Sequence, residues 1–429
     1  MKKPVFTISA PVDTYSGYGA RARDIVKSII ELDKYEVKIM SQRWGDTPKD
    51  FIDNHSEWKF LKPLLIRNLT EQPDIWMQIT IPTEFQSVGK YNIGCTAGIE
   101  STGCAAPWVE GLNRMDLNLV SSEHSKKVFT DIKFEQKDKA TNVVQKLIQL
   151  EKPIEVLFEG VNLDTYFYKN PKDVNINLDK IEESFCYLFV GHWLNGEFGH
   201  DRKNIGVLVK NFFDAFKGQK SQPALILKSC LGRNSYLSRE ELLGKIKVIK
   251  KSYPVGTKLP NVYIFNGNLS DEQVNDLYNH PKVKSMVSFT KGEGYGRPLA
   301  EFGLSKKPII ASGWSGHVDF LTQGNCILLP GDLEPVHASA ANQWLLKETQ
   351  WFKVDNAASI KALKDVYDNY KKYTVGAKKH GHHIKTKFSF DAMKELLGNI
   401  LEKNVPFFPS KEPLTLPKLK TPKIVQQQK

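Results

Sequence analysis

At 429 residues the chain exceeds what one ordinary core holds, so two domains are expected, and a hydrophobic content of 41% is enough to bury both. No stretch approaches the ~20 consecutive apolar residues of a membrane helix, and the opening "MKKPVFTISAPVD" is broken by Thr7 and Ser9, unlike a signal peptide. Sixty Lys and Arg against 48 Asp and Glu leave a net charge of +12, which favours a polyanionic partner (nucleic acid, an anionic membrane surface or phosphorylated ligands) as much as plain solubility.

Taken in chain order, "KPVFTIS" (3–9) is a short β-branched run followed by the glycine-containing loop "PVDTYSGYG". From Ala20 the apolar residues Ala22, Ile25, Val26, Ile29 and Ile30 recur at helical spacing. "YEVKIM" (35–40), "DIWMQIT" (74–80), "YNIGCTAG" (91–98) and "MDLNLVSS" (115–122) read as buried strands, and "IEVLFEGVN" (154–162) closes the first half. The pattern restarts at "FCYLFVGHW" (185–193), with the loop "HDRKNIG" and a helix carrying Val207, Leu208, Val209, Phe212, Phe213 and Phe216. "PALILKSC" (223–230), "NVYIFNG" (261–267), "VKSMVSFT" (283–290) and "KPIIAS" (307–312) are the later strands. Ser270 and Gln273 form a capping box at the start of one intervening helix.

Strands alternating with helices predict an α/β fold of two Rossmann-like halves with parallel sheets. The domains are expected at 1–175 and 176–387, with the polar stretch "YKNPKDVNINLDK" as linker and 388–403 as a closing helix. The stretch 404–429, with five prolines and five lysines, reads as an extended or mobile tail. Cys95, Cys104, Cys186, Cys230 and Cys326 have no CxxC or zinc spacing and read as buried free thiols of a reducing, cytoplasmic compartment.

The sharpest local signal is "SFTKGEGYGRPLAEFG" (288–303). A buried strand runs into three glycines within five positions, and Pro298 suits the first turn of the helix that follows. Free backbone N–H groups in such a loop suit a phosphate or a sugar hydroxyl. Glu293 and Glu301 cannot both grip phosphate. They can accept hydrogen bonds from vicinal hydroxyls, one pair on a transferred sugar and one on a ribose.

The stretch "GEGYGRPLAEFGLSKKPIIAS" resembles the Glu-x7-Glu motif of the group-1 retaining glycosyltransferases, whose GT-B architecture sets two Rossmann domains across a cleft. "FVGHWLNGEFGHDRKNIGVLVKNFFDAF", "YIFNGNLSDEQVNDLYNH", "FEGVNLDTYF" and "GIESTGCAAPWVEGLNRMDLNLVSSEHSKKVF" are similar to further segments of that family in the same order, over roughly residues 90 to 330. Together they also look like enzymes encoded by large tailed phages. The resemblance implies that the first domain holds the acceptor and the second the nucleotide-sugar donor. It implies that Glu301 binds the ribose, that Glu293 holds the transferred sugar, and that the N–H groups of Gly294, Tyr295 and Gly296 face the sugar and the distal phosphate. Lys203 takes the place of the family's diphosphate-binding lysine, with Arg202 beside it. Where the family has Gly-Arg this chain has Gly191-His192, so His192 or Arg202 is expected to supply the missing function.

Developing charge on a nucleoside diphosphate needs cations or a metal. The chain contains no Asp-x-Asp, so a basic cluster without metal or cofactor is expected. His380, His382 and His383 lie among lysines and read as a basic surface. Gly17 and Gly19 of "SGYG" allow close approach at the cleft, and Gly19 is expected to contact donor; an ordinary βα turn explains them equally. Glu100 is expected to orient an acceptor hydroxyl or stabilise charge at the anomeric carbon, or else to be a helix-start acid. His124 reads as a helix-start residue.

The resemblance implies a UDP-sugar such as UDP-glucose or a UDP-pentose, and retention at the anomeric carbon. Charge and the phage-like look point to a hydroxymethylated base in DNA as acceptor, with Arg21, Arg23, Arg43, Lys126 and Lys127 as phosphate contacts. The alternatives are synthesis of a surface polysaccharide or lipid-linked glycan, and a non-catalytic nucleotide-sugar or nucleic-acid binder.

Overall fold

Val5–Ala10 (β1) is buried at every position, as a parallel strand covered on both faces must be. The computed structural model to which it belongs describes residues 3–138, 141–232 and 235–408. Ser16 caps the next helix, its hydroxyl accepting from the Gly19 N–H at 2.9 Å, and α1 (Gly17–Glu31) turns Ile25, Val26 and Ile29 on to the sheet. There follow β2 (Glu36–Ser41), α2 (Phe51–Asn54), β3 (Ile75–Ile79), β4 (Tyr91–Cys95), α3 (Ala106–Leu112), β5 (Leu117–Val120) and α4 (Glu123–Asp131). An antiparallel ribbon, β6 (Lys133–Lys137) with β7 (Val144–Gln149), precedes β8 (Ile154–Val156). The sheet runs β2-β1-β3-β4-β5-β8, parallel throughout.

The second lobe repeats the scheme. It contains β9 (Cys186–Val190), α5 (Ile205–Phe216), β10 (Ala224–Lys228), α6 (Tyr236–Lys251), β11 (Val262–Phe265), α7 (Asp271–Asn279), β12 (Val283–Ser288), α8 (Arg297–Gly303), β13 (Ile309–Ser312) and β14 (Ile327–Leu329). Its parallel sheet runs β11-β10-β9-β12-β13-β14. The capping box at Ser270 and Gln273 is formed at the head of α7. An antiparallel pair, β15 (Gly331–Pro335) and β16 (Gln350–Val354), follows, then α9 (Asn356–Asp368), α10 (Tyr370–Lys387) and α11 (Phe390–Asn404).

The chain passes between the lobes twice at one place. Leu157 belongs to the first core, whereas Val161, Tyr166, Leu178 and Ile181 belong to the second. The crossing thus comes ahead of the polar stretch at 170–184. The return is pinned beside it, Val161 N–H donating to Phe388 O and Phe390 N–H to Val161 O, both at 2.8 Å. The last helix, α11, then closes over the first lobe, burying Met393, Leu397 and Leu401 in its core. From residue 409 the expected tail lies outside the described residues. All five cysteines are free and buried, and among the described residues no helix is long and apolar enough to cross a membrane.

Candidate active site

The two sheets present the C-terminal ends of β1, β4, β9, β12 and β13 to a shared gap, where open α/β sheets place their ligands. The loop from β12 to α8 crosses it, and its three glycines serve two purposes. Gly296 has φ +100° and caps α8, a conformation that side chains disfavour. Gly292 and Gly294 instead let the first lobe come close. A Cβ on Gly292 would lie 1.8 Å from the Glu100 carbonyl oxygen, and one on Gly294 would lie 2.3 Å from that of Ala97. The Ser121 hydroxyl donates to Gly294 O across the same gap at 2.9 Å. The N–H groups of Gly294, Tyr295 and Gly296 find no acceptor among the described residues.

Glu293 sits at the centre of a charge cluster. Its N–H donates to Ser315 Oγ at 2.9 Å, Lys203 Nζ contacts one carboxylate oxygen at 2.5 Å and an Arg202 nitrogen lies 3.4 Å from the other. Burial raises such an acid, but the two cations overcome it and hold Glu293 at about 2. Burial pulls the Lys203 ammonium down from its ordinary value, and the ionised Glu293 opposes this. The neighbouring Asp201 carboxylate accepts from the Ile205 N–H at 3.3 Å and anchors the start of α5. Arg202 donates to Gly292 O at 2.7 Å and reaches across to Glu100 of the first lobe at 3.5 Å.

Glu301 lies about one turn inside α8, in a different environment. Tyr278 OH donates to it at 3.4 Å, and the Arg297 Nε is 3.6 Å away. Burial dominates here, Arg297 offsets it only partly, and the carboxyl is pushed up to about 7. Arg297 divides its charge between the lobes, pairing with Asp24 of α1 at 2.9 Å and with Glu159 at 3.3 Å. Glu159 is in turn 3.5 Å from Arg21.

Other expected site residues fall out differently. Tyr295 buries its ring against Phe320, 4.9 Å between centroids, so only its backbone faces the gap. His192 is exposed, its Nδ1 is 3.0 Å from Cys230 Sγ, and it stands among Lys203, Lys228 and Arg202. A Cβ on Gly19 would meet Thr14 O at 2.4 Å, so that glycine serves the packing of its own turn, and Gly17 has no neighbour for a Cβ within 4 Å. Arg21 and Arg23 cannot be phosphate contacts, for both are buried. Arg21 donates to Leu157 O, and Arg23 donates to Val12 O and Thr14 O, each at 2.9 Å. Lys126 and Lys127 are engaged with Glu155 at 3.7 Å and Asp131 at 2.6 Å. Arg43 is exposed and its side chain has no partner among the described residues. His380 is buried behind Gly303 and is not part of a basic surface, unlike the exposed His382.

Sequence reasoning missed Arg297, Ser315 and His317. Ser315 and His317 follow β13, where the strand-end rule places site residues. His317 Nε2 lies 2.7 Å from Ser312 O, and burial pushes its pKa down although Glu293 opposes this. His124 does start α4, and it also packs on Trp314 of the other lobe at 4.6 Å.

No protein-family model matches the sequence, and no curated protein matches it. Solved structures match in fold. HepE of Anabaena in complex with UDP-glucose has 13% identity and a TM-score of 0.59, over 93% of this chain and 100% of that one. Sucrose-phosphate synthase of Thermosynechococcus elongatus has 12% identity and a TM-score of 0.61, over 94% and 99%. The α,α-trehalose 6-phosphate synthase of Burkholderia multivorans has 10% identity and a TM-score of 0.59, over 94% and 99%. The likeness is one of architecture: two facing Rossmann-like lobes in the GT-B arrangement.

Proposed function

We propose that the chain is a glycosyltransferase that moves a sugar from a UDP-sugar to a hydroxyl acceptor with retention. The observation that carries this reading is the pairing of Glu293 with Lys203 and Arg202 beside three N–H groups with no acceptor among the described residues, with Glu301 inside the helix that the loop leads into. HepE, similar in fold, binds UDP-glucose. In this reading Lys203, Arg202 and the N–H groups of residues 294–296 take the diphosphate, and His192 stands at its edge. Glu301 accepts from the ribose hydroxyls and Glu293 from those of the sugar.

The bond from the anomeric carbon to the phosphate oxygen breaks, and the acceptor oxygen bonds to that carbon on the same face. The acceptor proton passes to the departing phosphate oxygen, so no protein nucleophile is required. Lys203 and Arg202 stabilise the negative charge that develops there. Glu100, tied to Arg202 from the opposite lobe, orients the acceptor hydroxyl.

For the acceptor we propose a hydroxymethylated base in DNA, pulled out of the stack to reach the gap. The net charge of +12 and the unpaired Arg43 support it; Arg21 and Arg23 do not. The test offers UDP-glucose and other nucleotide sugars with DNA containing hydroxymethylcytosine, unmodified DNA or oligosaccharide, read by mass. A gain of one sugar on hydroxymethylated DNA alone is expected. Transfer only to oligosaccharide would overturn the acceptor, and no turnover of any nucleotide sugar would overturn the transferase.

A further inference from the structure

The loop after β2 folds back over the first lobe's edge of the gap and lays Trp44 on Tyr18. The rings stack at 3.8 Å between centroids with 23° between planes, and both remain partly exposed. Tyr18 is a rigid base for this shelf. Its hydroxyl is 3.0 Å from Thr96 Oγ1 and accepts from the Ala97 N–H at 3.0 Å. Burial pushes the phenol up to about 12, so it stays neutral.

The Ala97 peptide joins the shelf to the donor side. Its N–H meets Tyr18, while its carbonyl and that of Gly294 share the single hydroxyl proton of Ser121. The Trp44–Tyr18 stack is therefore linked to the glycine loop through the Tyr18 hydroxyl, the Ala97 peptide and Ser121. Arg43, next in sequence, is exposed and unpaired among the described residues, unlike Arg21, Arg23, Lys126 and Lys127.

We infer that Trp44, Tyr18 and Arg43 form the acceptor subsite, in which an unstacked nucleobase lies on Trp44 and Arg43 holds the phosphate beside it. The inference rests on the DNA reading above. An aromatic face takes any base, since every base has a π face, and the guanidinium supplies the anion contact that a neutral sugar ring would not need.

The test uses the full chain, UDP-glucose and a single-stranded oligonucleotide carrying one hydroxymethylcytosine next to 2-aminopurine. Trp44→Ala should raise the oligonucleotide KM by about tenfold to a hundredfold, the range for loss of one stacked base. It should also abolish the change in 2-aminopurine fluorescence on binding. Trp44→Phe should restore most of both, which guards against a folding defect, and Arg43→Ala should raise KM mainly at low salt. If the wild type glycosylates this DNA while all three variants match it, the shelf is wrong and the DNA reading stands. If the wild type binds UDP-glucose but modifies only oligosaccharide, with Trp44→Ala raising that KM, the shelf holds a sugar ring and the inference falls with the DNA reading.

Discussion

Glu293 and Glu301 share a side chain and lie on one loop–helix unit, yet the fold drives them to opposite states. Glu293 touches two cations and is held at about 2, while burial raises Glu301 to about 7, the one guanidinium it shares with two other acids offsetting this only partly. Accepting from both ribose hydroxyls requires the Glu301 carboxylate, so donor binding should release a proton. The KM for UDP-sugar is expected to fall as pH rises from 6 to 8, with a midpoint near 7, and to lose this dependence in Glu301→Gln. A KM that rises with pH would contradict the assignment. The sign for stability is the reverse. An acid whose folded pKa lies above its unfolded value stabilises the chain below that unfolded value and loses the contribution as pH climbs towards 7. Thermal melts of the unliganded protein should therefore decline across that window, and Glu301→Gln should flatten them. Glu301→Ala should weaken donor binding by about tenfold or more, the worth of hydrogen bonds to a charged group. Glu293→Ala should act chiefly on kcat, by about a hundredfold, through the sugar and the cations it positions.

At the scale of elements, the glycine loop and the loop after β4 are fitted to each other backbone to backbone. A methyl at Gly292, 1.8 Å from a carbonyl oxygen, has no flexible neighbour to displace. Gly292→Ala is expected to part the lobes and abolish transfer while each lobe keeps its own core, seen as a larger radius of gyration in small-angle scattering. Gly17→Ala, with open space around it, is the matched control and should change nothing. Arg297→Met should leave Asp24, Glu159 and Glu301 facing one another. Breaking such a pair costs about 3 kcal/mol, the lower end for buried pairs because the Arg297 side chain is 24% exposed. A double-mutant cycle with Asp24→Asn measures how much of this crosses between lobes.

These same elements explain what the chain discloses on reading. Strand and helix periodicity, the capping box and the eight-residue spacing of the acids are local, so both halves and the glutamate pair were legible. The purpose of Gly292 was not, because Glu100 is nearly two hundred positions away. The burial of Arg21 and Arg23 did leave a trace: they stand four before Ile25 and three before Val26, on the apolar stripe of α1.

For the whole molecule, charge bears on which acceptor the pair of lobes can take. The surplus of +12 is spread over a surface where many lysines already answer acids, so net charge by itself does not specify DNA. The salt dependence of acceptor binding does. Each phosphate of a single strand neutralised by the protein contributes about −0.7 to the slope of log K against log salt. An acceptor held through one such contact shows about −0.7, and a neutral oligosaccharide shows almost none. Measured at saturating UDP-sugar, so that the diphosphate adds no term, hydroxymethylated DNA is expected to reach at least about −0.7, the contact that Arg43 supplies. Arg43→Ala should flatten the slope by about one phosphate's worth, whereas Lys127→Ala, whose ammonium answers Asp131 at 2.6 Å, should leave it unchanged. A flat slope in the wild type would mean that the basic surface serves solubility and that the acceptor carries no phosphate.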